Sequence, residues 1–111
     1  MEVTIATMLD MAADLLDIVP DGWDRSVFRD TTKLGEETGE VCEAVIKTSK
    51  TKDDVAEELA DVLNVCCTIA IRLDIDLKQA VIDKHKKRIK KRLDFYGDGE
   101  LPEGWNPRVK F

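Results

Sequence analysis

A ten-residue pattern occurs twice in this chain, 21 positions apart, as EETGEVCEAV over residues 36–45 and EELADVLNVC over residues 57–66. Both follow E-E-x-small-acid-V-x-x-apolar-apolar, so Glu36, Glu37, Glu40 and Val41 correspond to Glu57, Glu58, Asp61 and Val62. At about 100° per residue, Glu37 and Glu40 fall about 60° apart on one helix edge, and Glu58 and Asp61 do the same on the next helix. Those edges border the apolar stripes that have to be buried. Two helices packed through the stripes therefore bring four carboxylates to one seam. Two carboxylates about 5 Å apart repel by about 3 kcal/mol at an effective dielectric near ~20. Four would consume much of the ~5–15 kcal/mol that stabilises a small domain. A hard cation reverses the sign, because carboxylate oxygens are the preferred ligands of magnesium and manganese.

The rest of the chain is read as helix as well. Ile5, Met8, Leu9, Ala12, Leu16 and Val19 recur at spacings of three and four, up to the turn signal Pro20-Asp21-Gly22. A second helix runs from about Asp24 or Ser26 to Thr48, with Val27, Thr31, Leu34, Thr38, Val41 and Val45 as its stripe. The third opens at a capping box, Thr51 with Asp54, and carries Val55, Leu59, Val62, Cys66, Ile69 and Leu73. Asp76 and Gln79 cap a fourth, with Ala80, Val81, Ile89 and Leu93 inward. No strand-type alternation persists, so the class is all-α. One helical domain is expected over residues 1–96, followed by an irregular tail, 97–111, whose Trp105 and Phe111 are candidates to dock on the helices.

Charge is segregated. The net charge of −6 argues against general nucleic-acid binding, yet residues 81–92 (VIDKHKKRIKKR) hold seven of the 17 Lys and Arg with one acid. A basic helix beside an acidic core suits a ligand that carries both metal ions and phosphates. Cys42, Cys66 and Cys67 fit neither a disulfide framework nor paired zinc spacing, so reduced thiols and a cytoplasmic location are expected. The N-terminus shows no signal-peptide pattern, and the stretch Leu59–Leu73 is too interrupted by Asp61, Asn64, Thr68 and Arg72 to span a membrane.

Several residues carry two readings. Glu36, Glu43 and Glu57 lie on the outer side of their helices and read as solvated. Gly39 and Ala60 stand at equivalent small-residue positions that permit close helix approach. Lys33, four residues before Glu37 on the same edge, is placed for a salt bridge with it. Asn64 reads as an exposed helix residue or as a base or sugar contact, and Trp23 as a turn anchor or a base-stacking platform. His85, the lone histidine, is expected to be solvated, and no Glu-x-x-His pair supports a di-iron site.

Glu36-Glu37-Thr38-Gly39-Glu40, a 17-residue spacer and Glu58-Leu59-Ala60-Asp61 together resemble the EExxE…ExxD signature of the MazG-like nucleotide pyrophosphatases. The surrounding KLGEETGEVCEA and EELADVLNVCCTIAIRLDIDLKQAV are similar to that family's second helix and to its third with the start of its fourth. The resemblance covers roughly residues 28–92 and is absent from the tail. It implies a four-helix MazG-like bundle completed by oligomerisation, as a homodimer or homotetramer. It also implies Mg²⁺-dependent hydrolysis (Mn²⁺ being an alternative) of the α–β phosphoanhydride of nucleoside triphosphates, as house-cleaning of non-canonical or surplus nucleotides. By position, Glu37, Glu40, Glu58 and Asp61 would hold one or more metal ions, and Glu36 would assist a second metal or orient water. Lys33, Asn64, Lys84, Lys87, Arg88 and Lys91 would contact substrate, although Arg88 stands where the family usually has Asn. The competing expectation is a non-catalytic helical module that binds nucleic acid or an acidic partner through its basic fourth helix.

Overall fold

The computed structural model describes residues 1–97 and 101–110. Among them lie four α-helices and no strand: α1 (Ile5–Asp17), α2 (Val27–Ile46), α3 (Lys52–Arg72) and α4 (Leu77–Tyr96). The all-α class is as expected. The chain divides into two compact units, Met1–Lys78 and Gln79–Phe111.

In the first unit α3 packs against both α1 and α2. Each helix starts where a side chain satisfies its orphan amides. The Thr4 hydroxyl accepts from the Thr7 amide, and Ser26 accepts from the Arg29 amide at 3.2 Å. Ser26 is itself fixed, since its amide and hydroxyl donate to Asp24 at 2.9 and 3.0 Å. The Thr51 capping box forms as read, with the Thr51 amide donating to Asp54 at 2.7 Å and the Asp54 amide to Thr51 at 3.2 Å. Such a cap is worth about 1 kcal/mol.

Two turns set the helix connections. After α1, the Trp23 amide donates to the Pro20 carbonyl at 3.3 Å, and Gly22 takes φ +85°, a region costly for any side chain. After α3, the Ile75 amide reaches back to Ala70 at 2.9 Å and the Asp74 amide to Ile71 at 3.2 Å. This is a Schellman closure with Asp74, at φ 52°, in the place glycine usually takes.

The buried apolar residues are small: Ala12, Ala44, Val65, Cys67 and Ala70. On α1 the read stripe holds, with Ala12 buried and Ile5, Met8, Leu9, Leu16 and Val19 half-buried. On α2 it does not. Asp30, Glu37 and Ala44, each seven residues from the next, are innermost, while Thr31, Thr38 and Val45 are exposed. On α3, Val65, Cys67, Thr68 and Ala70 are buried, and Leu59 and Leu73 are about half exposed. A central helix has to serve two neighbours at once, so a single stripe under-describes it. Gly39 is no close-approach site either, because a Cβ there would meet nothing within 4 Å.

In the second unit, Ile89 and Leu93 of α4 are half-buried, whereas Ala80 and Val81, read as inward, are exposed. Tail residues Leu101, Pro102 and Trp105 join Ile89, Leu93 and Tyr96 around a cavity of about 190 Å³. The Trp105 amide donates to the Pro102 carbonyl at 3.1 Å, which turns the tail there. Phe111, the other docking candidate, lies outside the described residues. None of the described helices is long and apolar enough to cross a membrane.

Candidate metal centre and adjoining cleft

Two steps of about one helical turn along α2, Lys33 to Glu37 to Glu40, face two antiparallel steps along α3, Asn64 to Asp61 to Glu58. Glu37 consequently meets Asp61, and Glu40 meets Glu58. The four carboxylates each offer one oxygen within 4.8 Å of all the others. Their burial is graded: Glu37 is 4% exposed, Glu58 is half-buried, and Glu40 and Asp61 open to solvent. The seam expected from the repeated motif is present.

Its electrostatics follow from that crowding. The Lys33 ammonium, 2.9 Å from Glu37 Oε1, holds the Glu37 carboxyl below its ordinary range and is itself raised in return. Glu40 has no such cation. A hydrogen bond shared with Glu58, and then the charge of Glu37, push Glu40 up to about 7. Lost hydration, followed by the charges of Glu37 and Glu58, raises Asp61 as well. Near pH 7 the Glu40 carboxyl is thus still partly protonated, where an isolated carboxylate would be ionised.

The donor set fits a hard divalent cation. Glu37 Oε2 and Glu58 Oε2 are buried with no hydrogen-bond partner. An unpartnered buried carboxylate oxygen is costly, and a cation supplies what both lack. One oxygen from each of the four lies within 4.8 Å of the others, close enough for the set to converge on one such ion. With neither His nor Cys among the four, the chemistry is oxygen-only.

Glu36 stands apart from these four carboxylates. It is exposed, its Oε2 lies 3.8 Å from Lys33 Nζ, and it borders a depression of about 410 Å³ with Phe28, Arg29 and Thr32. Glu40 and Glu58 also border a polar depression of about 360 Å³ shared with Lys50 and Asp54. Lys84, Lys87, Arg88 and Lys91 are exposed residues of α4, in the second unit.

Lys33 and Asn64 form the junction with a cleft of about 470 Å³. Leu15, Leu16, Val19 and Trp23 give it apolar walls, and Asp30, Thr68 and Arg72 give it polar ones. Asn64 is half-buried rather than exposed. The Trp23 ring, 56% exposed, carries the Arg29 guanidinium 5.6 Å from its centroid. Arg72 Nε donates to Asp30 Oδ2 across 42 residues of sequence, with side-chain exposures of 20% and 8%. That ion pair escaped the sequence reading. Its one signal was spacing, since Asp30 lies seven residues before Glu37 and therefore on the same face.

The family model for the MazG nucleotide pyrophosphohydrolase domain matches residues 30–93, from Asp30 to Leu93 and through both acidic motifs. No curated protein and no solved structure matches the chain.

Proposed function

This chain belongs to the MazG nucleotide pyrophosphohydrolase family, and from that premise we propose that it cleaves the α–β phosphoanhydride of nucleoside triphosphates. The products are the nucleoside monophosphate and pyrophosphate, and the role is clearance of non-canonical or surplus nucleotides in the cytoplasm. The observation that carries this reading is the convergence of Glu37, Glu40, Glu58 and Asp61 with two buried oxygens lacking any partner.

Glu37, Glu40, Glu58 and Asp61 would hold Mg²⁺, or Mn²⁺ in its place. When bound, the ion screens polyphosphate charge, polarises a phosphoryl oxygen and acidifies water. Lys33 is the movable cation at the edge. With Glu37 among the residues that would hold the ion, the Lys33 ammonium, which lines the cleft, would be free to meet a phosphate oxygen near its mouth. Glu36, outside the cluster and open to solvent, keeps lone pairs free to orient the attacking water and accept its proton at a carboxylate oxygen. Direct attack by water is favoured because the chain offers no Ser–His or Cys–His pair next to its acids. The α4 cations Lys84, Lys87, Arg88 and Lys91 are assigned to the polyphosphate on the strength of the sequence resemblance, and their reversal to Glu should raise KM.

The reading includes a symmetric homodimer or homotetramer. A buried apolar set made of alanines, one valine and one cysteine is small for a chain of this length, and Leu59, Leu63, Val45 and Ile46 leave half or more of their surface open. Incubation with a panel of dNTPs and magnesium tests the activity. Pyrophosphate release that needs the divalent ion supports it. Orthophosphate as the product, or no turnover with any dNTP, rejects it.

A further inference from the structure

Beside the carboxylates, the cleft combines a size and a wall chemistry that the metal reaction does not use. Its volume of about 470 Å³ lies within the ~300–1,000 Å³ of ordinary small-molecule pockets. Its walls are mostly apolar, which suits a flat ring, and the exposed Trp23 ring stands at its border. Of its polar groups, Asp30 and Thr68 are buried and Lys33, Asn64 and Arg72 are half-buried, which suits recognition better than full solvation would. The Asp30–Arg72 ion pair is the unusual one. Well-packed apolar residues in place of such a pair are often neutral or stabilising, so stability alone does not call for it.

The pair also has hydrogen-bonding capacity in hand. Only Nε of Arg72 and Oδ2 of Asp30 are used between them. Terminal guanidinium N–H donors and the second carboxylate oxygen therefore offer a donor beside an acceptor. Asn64 adds an amide of both kinds at the cleft mouth, three residues from Asp61. The pairing edge of every nucleobase presents a donor next to an acceptor in the same way. Lys33 lies both on this cleft and on Glu37, so a ring in the cleft has its phosphates directed toward the carboxylates.

We propose that this cleft holds the base of the nucleotide and that Asp30, Arg72 and Asn64 determine which base is accepted. The proposal rests on the nucleotide reading above and adds to it the element that reads the base. Asp30 and Arg72 act as one unit, with the carboxylate fixing the guanidinium plane so that its remaining donors are pre-aimed. Trp23 supplies the face on which the ring lies.

The experiment compares kcat/KM across natural dNTPs and analogues whose base lacks the exocyclic group on its pairing edge. It uses the full chain and the double variant Asp30→Leu/Arg72→Met. Wild type should prefer its best dNTP over the matching analogue by at least about 100-fold, because a site built to hydrogen-bond a group rejects ligands without it. In the double variant, and separately in Asn64→Leu, that ratio should fall to within about tenfold. A wild type that ignores the base, or variants that keep its full preference, overturn the proposal. Asn64→Leu carries the test if the double variant does not fold.

A second readout is independent of turnover. In a Trp105→Phe background, Trp23 fluorescence is titrated with nucleoside monophosphates without metal. Quenching that saturates, and weakens at least about tenfold for the base lacking its exocyclic group, supports the base cleft even if no dNTP is hydrolysed. Absence of saturable quenching overturns it even if hydrolysis is brisk. Failure of the base reading and failure of the hydrolase reading are thereby told apart.

Discussion

Lys33 Nζ lies 2.9 Å from Oε1 of Glu37, while Oε2 of the same carboxylate is buried without any partner. One oxygen of the most buried acid is thus neutralised from within the chain and the other is not. Lys33 is 44% exposed and anchored only from its own helix, so it is a counter-ion that can be exchanged. A divalent ion and the Lys33 ammonium compete for one carboxylate, and several consequences follow from that competition.

Lys33→Met leaves the Glu37 charge buried and unpaired in the metal-free protein. Removing one partner of a fully buried pair costs about 3–5 kcal/mol, and the exposure of Lys33 reduces this to about 1–2 kcal/mol. Thermal melts in chelator should show that loss. Magnesium should stabilise the variant more than it stabilises wild type, because its competitor is gone. A smaller metal-induced rise in Tm would contradict the exchange.

Stability of the metal-free protein should fall as pH rises from about 4.5 to about 7. The Glu40 carboxyl titrates near 7 when folded against 4.5 when unfolded, so its stabilising contribution is complete below 4.5 and is lost as pH passes its folded value. Asp61, raised in the same sense, adds to the decline. Glu37, Glu43 and Asp54 are lowered, and they act in the opposite sense by losing stability as pH falls through their folded values. Tm measured across this range in chelator, and again in saturating magnesium, should show the neutral-side decline only in chelator.

Glu40→Gln and Asp61→Asn each remove one member of a repelling set while keeping its shape. In chelator both should melt above wild type at pH 8, and their advantage should shrink at pH 5, where wild type already holds the proton. Both should lose pyrophosphate release and most of the metal-induced rise in Tm. Variants that melt earlier than wild type at pH 8 would mean that the carboxylates do not repel as their spacing requires.

Leu59 and Leu63, one turn apart on α3, are each about half exposed. If a second copy of the chain covers that row, Leu63→Glu places a charge in the interface and should shift sedimentation toward the monomer with helical circular dichroism retained. An unchanged mass would remove this row from the interface.

The seam was legible because two copies of one motif on adjacent helices carry their own register. Antiparallel packing of α2 on α3 brings Glu37 to Asp61 and Glu40 to Glu58. Helix starts were legible for a similar reason, since Thr51 and Asp54 cap each other within one turn. The α2 stripe departs from the hydropathy pattern because paired charges, and not apolar character alone, mark its inward face. Asp30 and Glu37 are innermost there, and each carries a cation that hydropathy does not register, Arg72 for one and Lys33 for the other.

What the sequence determined by itself was local: four helices, the Thr51–Asp54 cap of the third and the spacing of acids along each axis. What only the tertiary structure decided was which distant residues meet. Arg72 finds Asp30 across 42 positions, and Asn64 turns from the surface into a cleft beside Lys33. Helical periodicity fixes angles about an axis but not the rotation or depth at which two helices engage. That engagement buries Ala12, Ala44 and Ala70, and it is a property of the assembled helices that none of them carries alone.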